Sequence, residues 1–253
     1  MRMQLIRNAT MRFNFGPICI LTDPLFAEKH ALRSFAGKSP NPLVDLPISP
    51  SEALAGVHMI LLSHLHSDHF DPRAQEILPR DMDLCCQPQD EVRLRTLGFS
   101  KVHPVREEIT LKGVRIVRTE TQHGRGAVLD EMGPASGYVI IAAQEPTVYW
   151  IGDSILHEEV FRTIDRFRPE LIITHSSGAV WGKGRELIVM DAEQTLQICT
   201  YATASQVVAV HMDSLDHGTV SRDDLILRRK LANIPSDRLL IPHDGETLTF
   251  EKK

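Results

Sequence analysis

Short apolar blocks bounded by polar or turn residues recur along the chain and read as strands. Residues 18–22 and 57–62 come first, followed by 114–117, 137–142, 147–151, 171–174, 207–210 and 239–241. Amphipathic stretches lie between them. Ile155, Leu156, Val160, Ile164 and Phe167 recur at helical spacing after Asp153-Ser154, and Pro169 ends that run. Asp191 with Gln194 predicts a capping box that opens a helix running to about Ala202. Many strands interleaved with helices predict an α/β layered fold, sheets covered by helices. Residues 33–47 hold three prolines and no alternation, which predicts an ordered loop or flap and not a domain boundary.

Composition narrows the class. The 253 residues are 42% hydrophobic and 24% charged, with a net charge of −5. That excludes a disordered or collagenous chain and argues against nucleic acid as partner, since no broad basic face can be built from it. The short basic run Arg228-Arg229-Lys230 reads as a solvated helix face. Cys19, Cys85, Cys86 and Cys199 form no Cys-x-x-Cys pair, and buried thiols in a reducing compartment are expected. The first residues lack the apolar run of a signal peptide, and no apolar run is long enough to span a membrane. A soluble cytoplasmic protein, free to self-associate, is the expectation.

The chemistry concentrates in Ser63-His64-Leu65-His66-Ser67-Asp68-His69, directly after the apolar run 59–62. Loops at the carboxyl ends of buried strands are where open α/β sheets place their sites. Three imidazoles and a carboxylate so close together are costly to bury unpaired, and a bound metal removes that cost. In an extended segment His64 and His66 point to one side and can reach one ion, while Asp68 and His69 follow the turn and can face a second.

This pattern resembles the metallo-β-lactamase-fold hydrolase superfamily, whose hallmark is His-x-His-x-Asp-His. The resemblance continues in order from about Leu5 to Thr249. It matches a third-motif histidine to His123 in Thr119-Glu-Thr-Gln-His-Gly124. It matches an aspartate between two metals to Asp153 in Tyr149-Trp-Ile-Gly-Asp-Ser154, and a late histidine to His211 after 207–210. Rivals for that last position are His217 and His243. The early Asp23, in Thr22-Asp-Pro24, matches a residue that holds the histidine loop. Within the superfamily the chain looks most like the UlaG-like branch, which includes L-ascorbate-6-phosphate lactonase. The segments 190–193, 210–213 and 241–246 add weaker support for that placement.

The resemblance implies one hydrolase domain over residues 1–253, folded as a four-layer αββα sandwich with the site at one edge between the sheets. It also implies two divalent metal ions. His64, His66 and His123 would hold the first, and Asp68, His69 and His211 the second, with Asp153 bridging. The best-known zinc β-lactamases carry a cysteine ligand where this chain has Asp153. The set is therefore all nitrogen and oxygen donors, which suits Zn2+ first and Mn2+ or Fe2+ as well. Two cations roughly 3.5–4 Å apart hold a bridging water and lower its pKa from about 15.7 toward ~7. Asp68 is placed to orient that nucleophile or relay its proton.

Around the site, His175 ends the run 171–174. It reads either as a substrate contact or proton shuttle, or as a half-buried histidine bonded to a backbone carbonyl. Trp181 sits in the Gly-rich stretch 178–186 and is expected to wall a pocket, with Lys183 and Arg185 on a surface loop. His217 and His243 are expected to orient ligands or touch substrate. Three functions compete. The first is a hydrolase of a small-molecule lactone, ester or related acyl bond, including one on a phosphorylated sugar acid. The second is a phosphodiesterase or RNA-processing nuclease, and the third a non-catalytic metal-binding module. The acidic composition and the short 153–211 interval speak against the nuclease. Seven donors, where a structural site closes with four, speak against the third.

Overall fold

The computed structural model describes residues 1–252. One sheet is built from β1 (Arg2–Arg7), β2 (Thr10–Phe15), β3 (Ile18–Thr22), β4 (Met59–Leu61), β5 (Asp83–Cys86) and β6 (Val102–Pro104). The second comprises β7 (Glu108–Leu111), β8 (Val114–Glu120), β9 (Ser136–Ala142), β10 (Val148–Trp150) and β11 (Leu171–His175). A small hairpin, β12 (Val180–Trp181) and β13 (Glu186–Leu187), stands apart. β14 (Gln206–Val210) and β15 (Leu239–Leu240) complete the second sheet, and β16 (Thr247–Thr249) returns to the first. The orders are β16-β1-β2-β3-β4-β5-β6 and β15-β14-β11-β10-β9-β8-β7.

Three apolar clusters define four layers. Met3, Phe13, Met59, Ile116, Tyr138 and Trp150 meet between the sheets. The outer face of the first sheet is covered by α1 (Pro50–Leu54), α2 (Pro72–Ile77) and α3 (Glu91–Thr96), through Ala53, Ala74 and Leu94. Next in order, α4 (Gly126–Met132) lies beside the small hairpin, where Val128 and Met132 pack with Ile188 and Trp181. α5 (Glu158–Phe167), α6 (Ala192–Tyr201) and α7 (Arg222–Leu231) cover the second sheet through Val160, Ile198 and Leu225. The fold is therefore the αββα sandwich expected from the sequence.

Strand directions place the site. β3, β4, β5 and β6 run parallel, as do β10, β11 and β14, and β8 shares the direction of β10 because β9 is antiparallel to both. Their carboxyl ends therefore gather at one rim. β4 is buried throughout, as an interior parallel strand must be, so its apolar run carries no alternation. Two bonds tie the sheets together at this rim. The Tyr138 hydroxyl donates to the Leu62 carbonyl at 2.9 Å, and the Ser136 N–H donates to the Ser63 carbonyl at 3.1 Å.

One helix start and one cap differ from the sequence reading, while the helix opened by Asp191 runs to Tyr201 as expected. α5 begins at Glu158, because the Ile155 N–H bonds the Gln122 carbonyl and the Leu156 N–H bonds Gln194 Oε1, which holds 154–157 extended. That use of Gln194 also breaks the expected capping box. Asp191 accepts from the Gln194 N–H at 2.9 Å, but the Gln194 side chain turns to Leu156 instead of back to the cap. The strands β1, β2, β5, β6, β7 and β16 carry no clean sequence signal and appear only in the folded chain. All four cysteines are buried and unbridged. No helix among the described residues is long and apolar enough to cross a membrane.

Candidate metal centre

The loop after β4 delivers His64, His66, Asp68 and His69 to the rim. His123 arrives after β8, Asp153 after β10 and His211 directly after β14. Gly152 makes the delivery of Asp153 possible. Its φ of +75° turns the chain sharply, and a Cβ there would lie 2.9 Å from the Ser136 carbonyl oxygen. Asp23 and His211 themselves adopt positive φ (35° and 67°), a strained backbone that surrounding contacts must enforce. For His211 one such contact is its N–H bond to the Asn8 carbonyl, at 3.2 Å. The Asn8 amide in turn donates to the Asp68 carbonyl at 3.1 Å.

Two donor groups result. His64, His66 and His123 form one, and Asp68, His69, Asp153 and His211 the other, with donor atoms in each group within 4.8 Å of one another. Asp153 Oδ2 lies 3.2 Å from His69 Nε2, 3.6 Å from His123 Nε2 and 4.0 Å from His64 Nε2, so this carboxylate sits between the groups. His69 Nε2 and His211 Nε2 are 3.3 Å apart, and both approach Asp68 Oδ2, at 3.2 and 3.5 Å.

The partners on the far side of each ring decide which nitrogen faces inward. Asp23, fully buried, accepts from the Ser63 N–H (2.8 Å), the Ser63 hydroxyl (2.5 Å) and His69 Nδ1–H (2.7 Å). The Ser63 hydroxyl has spent its proton on Asp23, so it accepts from His64 Nδ1–H at 2.9 Å. One carboxylate thereby sets the tautomer of two imidazoles and leaves both Nε2 atoms aimed at the centre. His123 Nδ1–H donates to the Ile188 carbonyl at 2.8 Å, and His211 Nδ1 pairs with the Ser177 hydroxyl at 3.2 Å. His66 presents Nδ1 instead, 2.9 Å from His64 Nε2.

Electrostatics agrees with a cation site. Asp23, Asp68 and Asp153 are all buried, and no lysine or arginine pairs with any of them. Burial would raise Asp153 and Asp68, but His69 and His211 hold both well below the usual carboxylate range. Burial would lower His69, yet Asp153, Asp68 and Asp23 push it well above the ordinary imidazole value. Burial and imidazole neighbours drive His64 well down, and burial takes His123 down to about 4, so both stay neutral. Neutral His64 and His123 thus converge with the ionised Asp68 and Asp153, whose charge only the His69 imidazolium offsets, and a divalent cation could take the place of that proton.

The remaining sequence candidates separate. His175 is buried between Trp150, whose indole N–H donates to His175 Nε2 at 2.9 Å, and Asp153 Oδ1, which accepts from Nδ1–H at 2.5 Å. It bonds no backbone carbonyl and does not line the cavity; it grips Asp153 from behind. His243 is exposed in the turn before β16 and belongs to neither donor group nor to the cavity lining. His217 and Trp181 do line the cavity over the donors, whose volume is about 430 Å³. Lys183 and Arg185 are exposed, and Arg228 and Lys230 face solvent in the last turn of α7. Sequence reasoning missed Ser63, Asn8, Ser177, Phe35 and Asp216. Only Ser63, next to the histidine motif, carried a signal that could have found it.

Residues 19–212 match the family model described as a beta-lactamase superfamily domain. The chain belongs to the beta-lactamase superfamily. Among its superfamily relatives, the UPF0173 protein YddR of Bacillus subtilis (strain 168) is 31% identical over 99% of this chain and 100% of its own. A possible metal-dependent hydrolase from Veillonella parvula aligns with a TM-score of 0.95 at 30% identity, over 99% of each chain. An isothiocyanate hydrolase from Delia radicum gut bacteria aligns with a TM-score of 0.94 at 32% identity, over 100% of each chain. With these relatives and this donor set, the chain is a metal-dependent hydrolase of the superfamily. The matches speak to the superfamily and do not single out its lactonase-like branch.

Proposed function

We propose that this enzyme hydrolyses a small, mostly apolar electrophile, a lactone, ester or related acyl compound, using two divalent cations with Zn2+ as first choice. The observation that carries the reading is the cavity directly over the donor cluster, walled by Phe35, Leu65, Met132, Trp181 and Ile188. Such walls take an apolar substituent, and the one cation among the lining residues, Arg33, is exposed. That disfavours a phosphorylated sugar acid, which needs several fixed donors around its phosphate.

His64, His66 and His123 would hold one cation and Asp68, His69 and His211 the other, with Asp153 shared. When bound, the pair supplies Lewis acidity at the scissile carbonyl and water of lowered pKa at neutral pH. Asp68 lines the cavity as an ionised carboxylate and would take the proton released on attack and pass it to the leaving group. Asp23, Ser63, Ile188 and Ser177 keep the imidazoles oriented.

A second reading is favoured by the isothiocyanate hydrolase neighbour. The central carbon of R–N=C=S is an electrophile of similar size with an apolar R group, and addition of water yields the amine and carbonyl sulfide. The test is metal analysis of protein purified without added metal. It is followed by a panel of p-nitrophenyl esters, γ-lactones, aryl isothiocyanates and bis(p-nitrophenyl) phosphate. About two metals per chain and turnover of an acyl or isothiocyanate substrate are expected. Turnover of the phosphodiester alone would replace this reading with a phosphodiesterase, and a chain that holds no metal would end it.

A further inference from the structure

The flap formed by residues 33–47 is built around a buried carboxylate from the far end of the sequence. Asp216 is 5% exposed and pairs with no lysine or arginine. It accepts from the N–H groups of Phe35 (2.9 Å), Ala36 (3.1 Å), Lys38 (3.2 Å) and Ser39 (3.4 Å). The Ser34 hydroxyl and the Asn41 amide (3.0 Å) complete the set. The Asp216 N–H then returns a bond to Asn41 Oδ1 at 2.9 Å. Regular pairing in this stretch is limited to one bridge between Leu32 and Asn41. A loop whose amides converge on one carboxylate has a defined shape without secondary structure.

The clamp has a consequence in the cavity. Phe35, in the middle of the clamped turn, and His217, the neighbour of Asp216, meet edge to face with ring centroids 5.1 Å apart at 83°. Both line the cavity above Asp68 and Asp153. His217 is 6% exposed, and its Nδ1 has no hydrogen-bond partner. Burial lowers its pKa, so the ring is neutral and able to donate or accept. A buried polar atom without a partner costs free energy unless something supplies one.

We propose that Phe35 and His217, positioned by the Asp216 clamp, form the wall that selects the substrate's substituent. Phe35 limits its length, and His217 meets the substrate's polar atom. This rests on the proposed hydrolysis of small electrophiles and adds to it the residues that set substrate size. Asp216 is a positioning residue, since it belongs to neither donor group and does not itself line the cavity, but holds the backbone of Phe35, which does.

The test uses the full chain loaded with zinc, as wild type, Phe35→Ala, Phe35→Leu, His217→Phe and Asp216→Asn. Turnover is read on p-nitrophenyl acetate, butyrate and octanoate, and equilibrium binding on acetohydroxamate and octanohydroxamate, whose metal-binding head is constant. Phe35→Ala should shift the octanoyl-to-acetyl ratio of kcat/KM upward by roughly tenfold, the discrimination a few methylenes provide. The hydroxamate affinity ratio should move the same way. Phe35→Leu should shift both less, and His217→Phe should raise KM with kcat nearly unchanged. Asp216→Asn should reproduce the Phe35→Ala shift with unchanged metal content and faster amide exchange at residues 35–39. Unchanged ratios in Phe35→Ala, or hydroxamates bound by the wild type with no length preference, overturn the proposal even if esters are hydrolysed. A wild type that hydrolyses no ester yet discriminates the hydroxamates through Phe35 overturns the proposed function and leaves the selecting wall standing.

Discussion

Replacing Asp23 by Asn should disarm both halves of the metal centre without touching a ligand. Asp23 accepts three hydrogen bonds at a fully buried site, two on Oδ2 and one on Oδ1. Asparagine keeps the size but presents one oxygen and one NH2. With its oxygen toward the Ser63 N–H, its NH2 faces the Ser63 hydroxyl and His69 Nδ1. Both must then become acceptors. His69 would move its proton to Nε2, and Ser63 would donate to His64 Nδ1, forcing that proton to Nε2 as well. Each shift puts a hydrogen where a lone pair should meet a cation. With the amide turned over, NH2 faces the Ser63 N–H, a donor that cannot reverse, at a cost of roughly 1–3 kcal/mol. Loss of such an orienting partner lowers metal affinity about 10–100-fold, or ~1.4–2.7 kcal/mol. Competition against a chromophoric chelator would read both affinities, and melting with and without zinc would confirm a correctly folded chain. Ser63→Ala is the control. It should weaken the position held by His64 and spare the one held by His69. Asp23→Asn with wild-type affinity at both positions would refute the tautomer argument.

His66→Ala should lower bound metal and abolish hydrolysis while the chain still folds, because its ring is a donor and not core; unchanged metal content by elemental analysis would remove His66 from the site. His211→Ala should lose one of the proposed two metals, whereas His243→Ala, an exposed position, should keep both; the opposite pattern would exchange their roles. Gly137→Ala should destabilise by roughly 1–3 kcal/mol, because a Cβ there would lie 2.5 Å from the Ile151 carbonyl oxygen and 2.6 Å from Thr119 Oγ1. In a chain this long that lowers Tm by about 2–4 °C per kcal/mol, and an unchanged melt would contradict the packing. For Asp216, burial acts to raise the carboxyl's pKa, but its hydrogen bonds to the flap hold it below the usual range. Its stabilisation is therefore fully present above the unfolded value of about 3.9 and is lost as pH falls below it. The stability gap between wild type and Asp216→Asn should stay constant from pH 8 to pH 5 and shrink only under about pH 4; shrinkage near neutrality would count against the clamp.

What was legible in the sequence was local. The histidine motif lies within a few residues of one strand, so its spacing alone places four donors at one rim. The apolar runs that precede His64, Asp153 and His211 became β4, β10 and β14, because interior parallel strands are apolar on both faces. The family followed from those motifs. Strands such as β7, half-exposed along its length, or β1 with polar residues at Arg2 and Gln4, show no such run and needed their partners to be recognised. Other roles were decided by tertiary structure. Asp23 reaches His69 because β3 and β4 are neighbours, which brings the loops that follow them together. His175, left open between substrate contact and bland burial, became the grip on Asp153 because β10 and β11 pair in register. Asp216 carried no signal, since most of its partners are backbone amides, which any residue offers, and the two side chains that join them, Ser34 and Asn41, lie some 175 or more positions away in the chain. Side-chain patterns report which face of an element is buried. They say nothing about which distant backbone will fold over a given carboxylate, and that choice belongs to the packed chain.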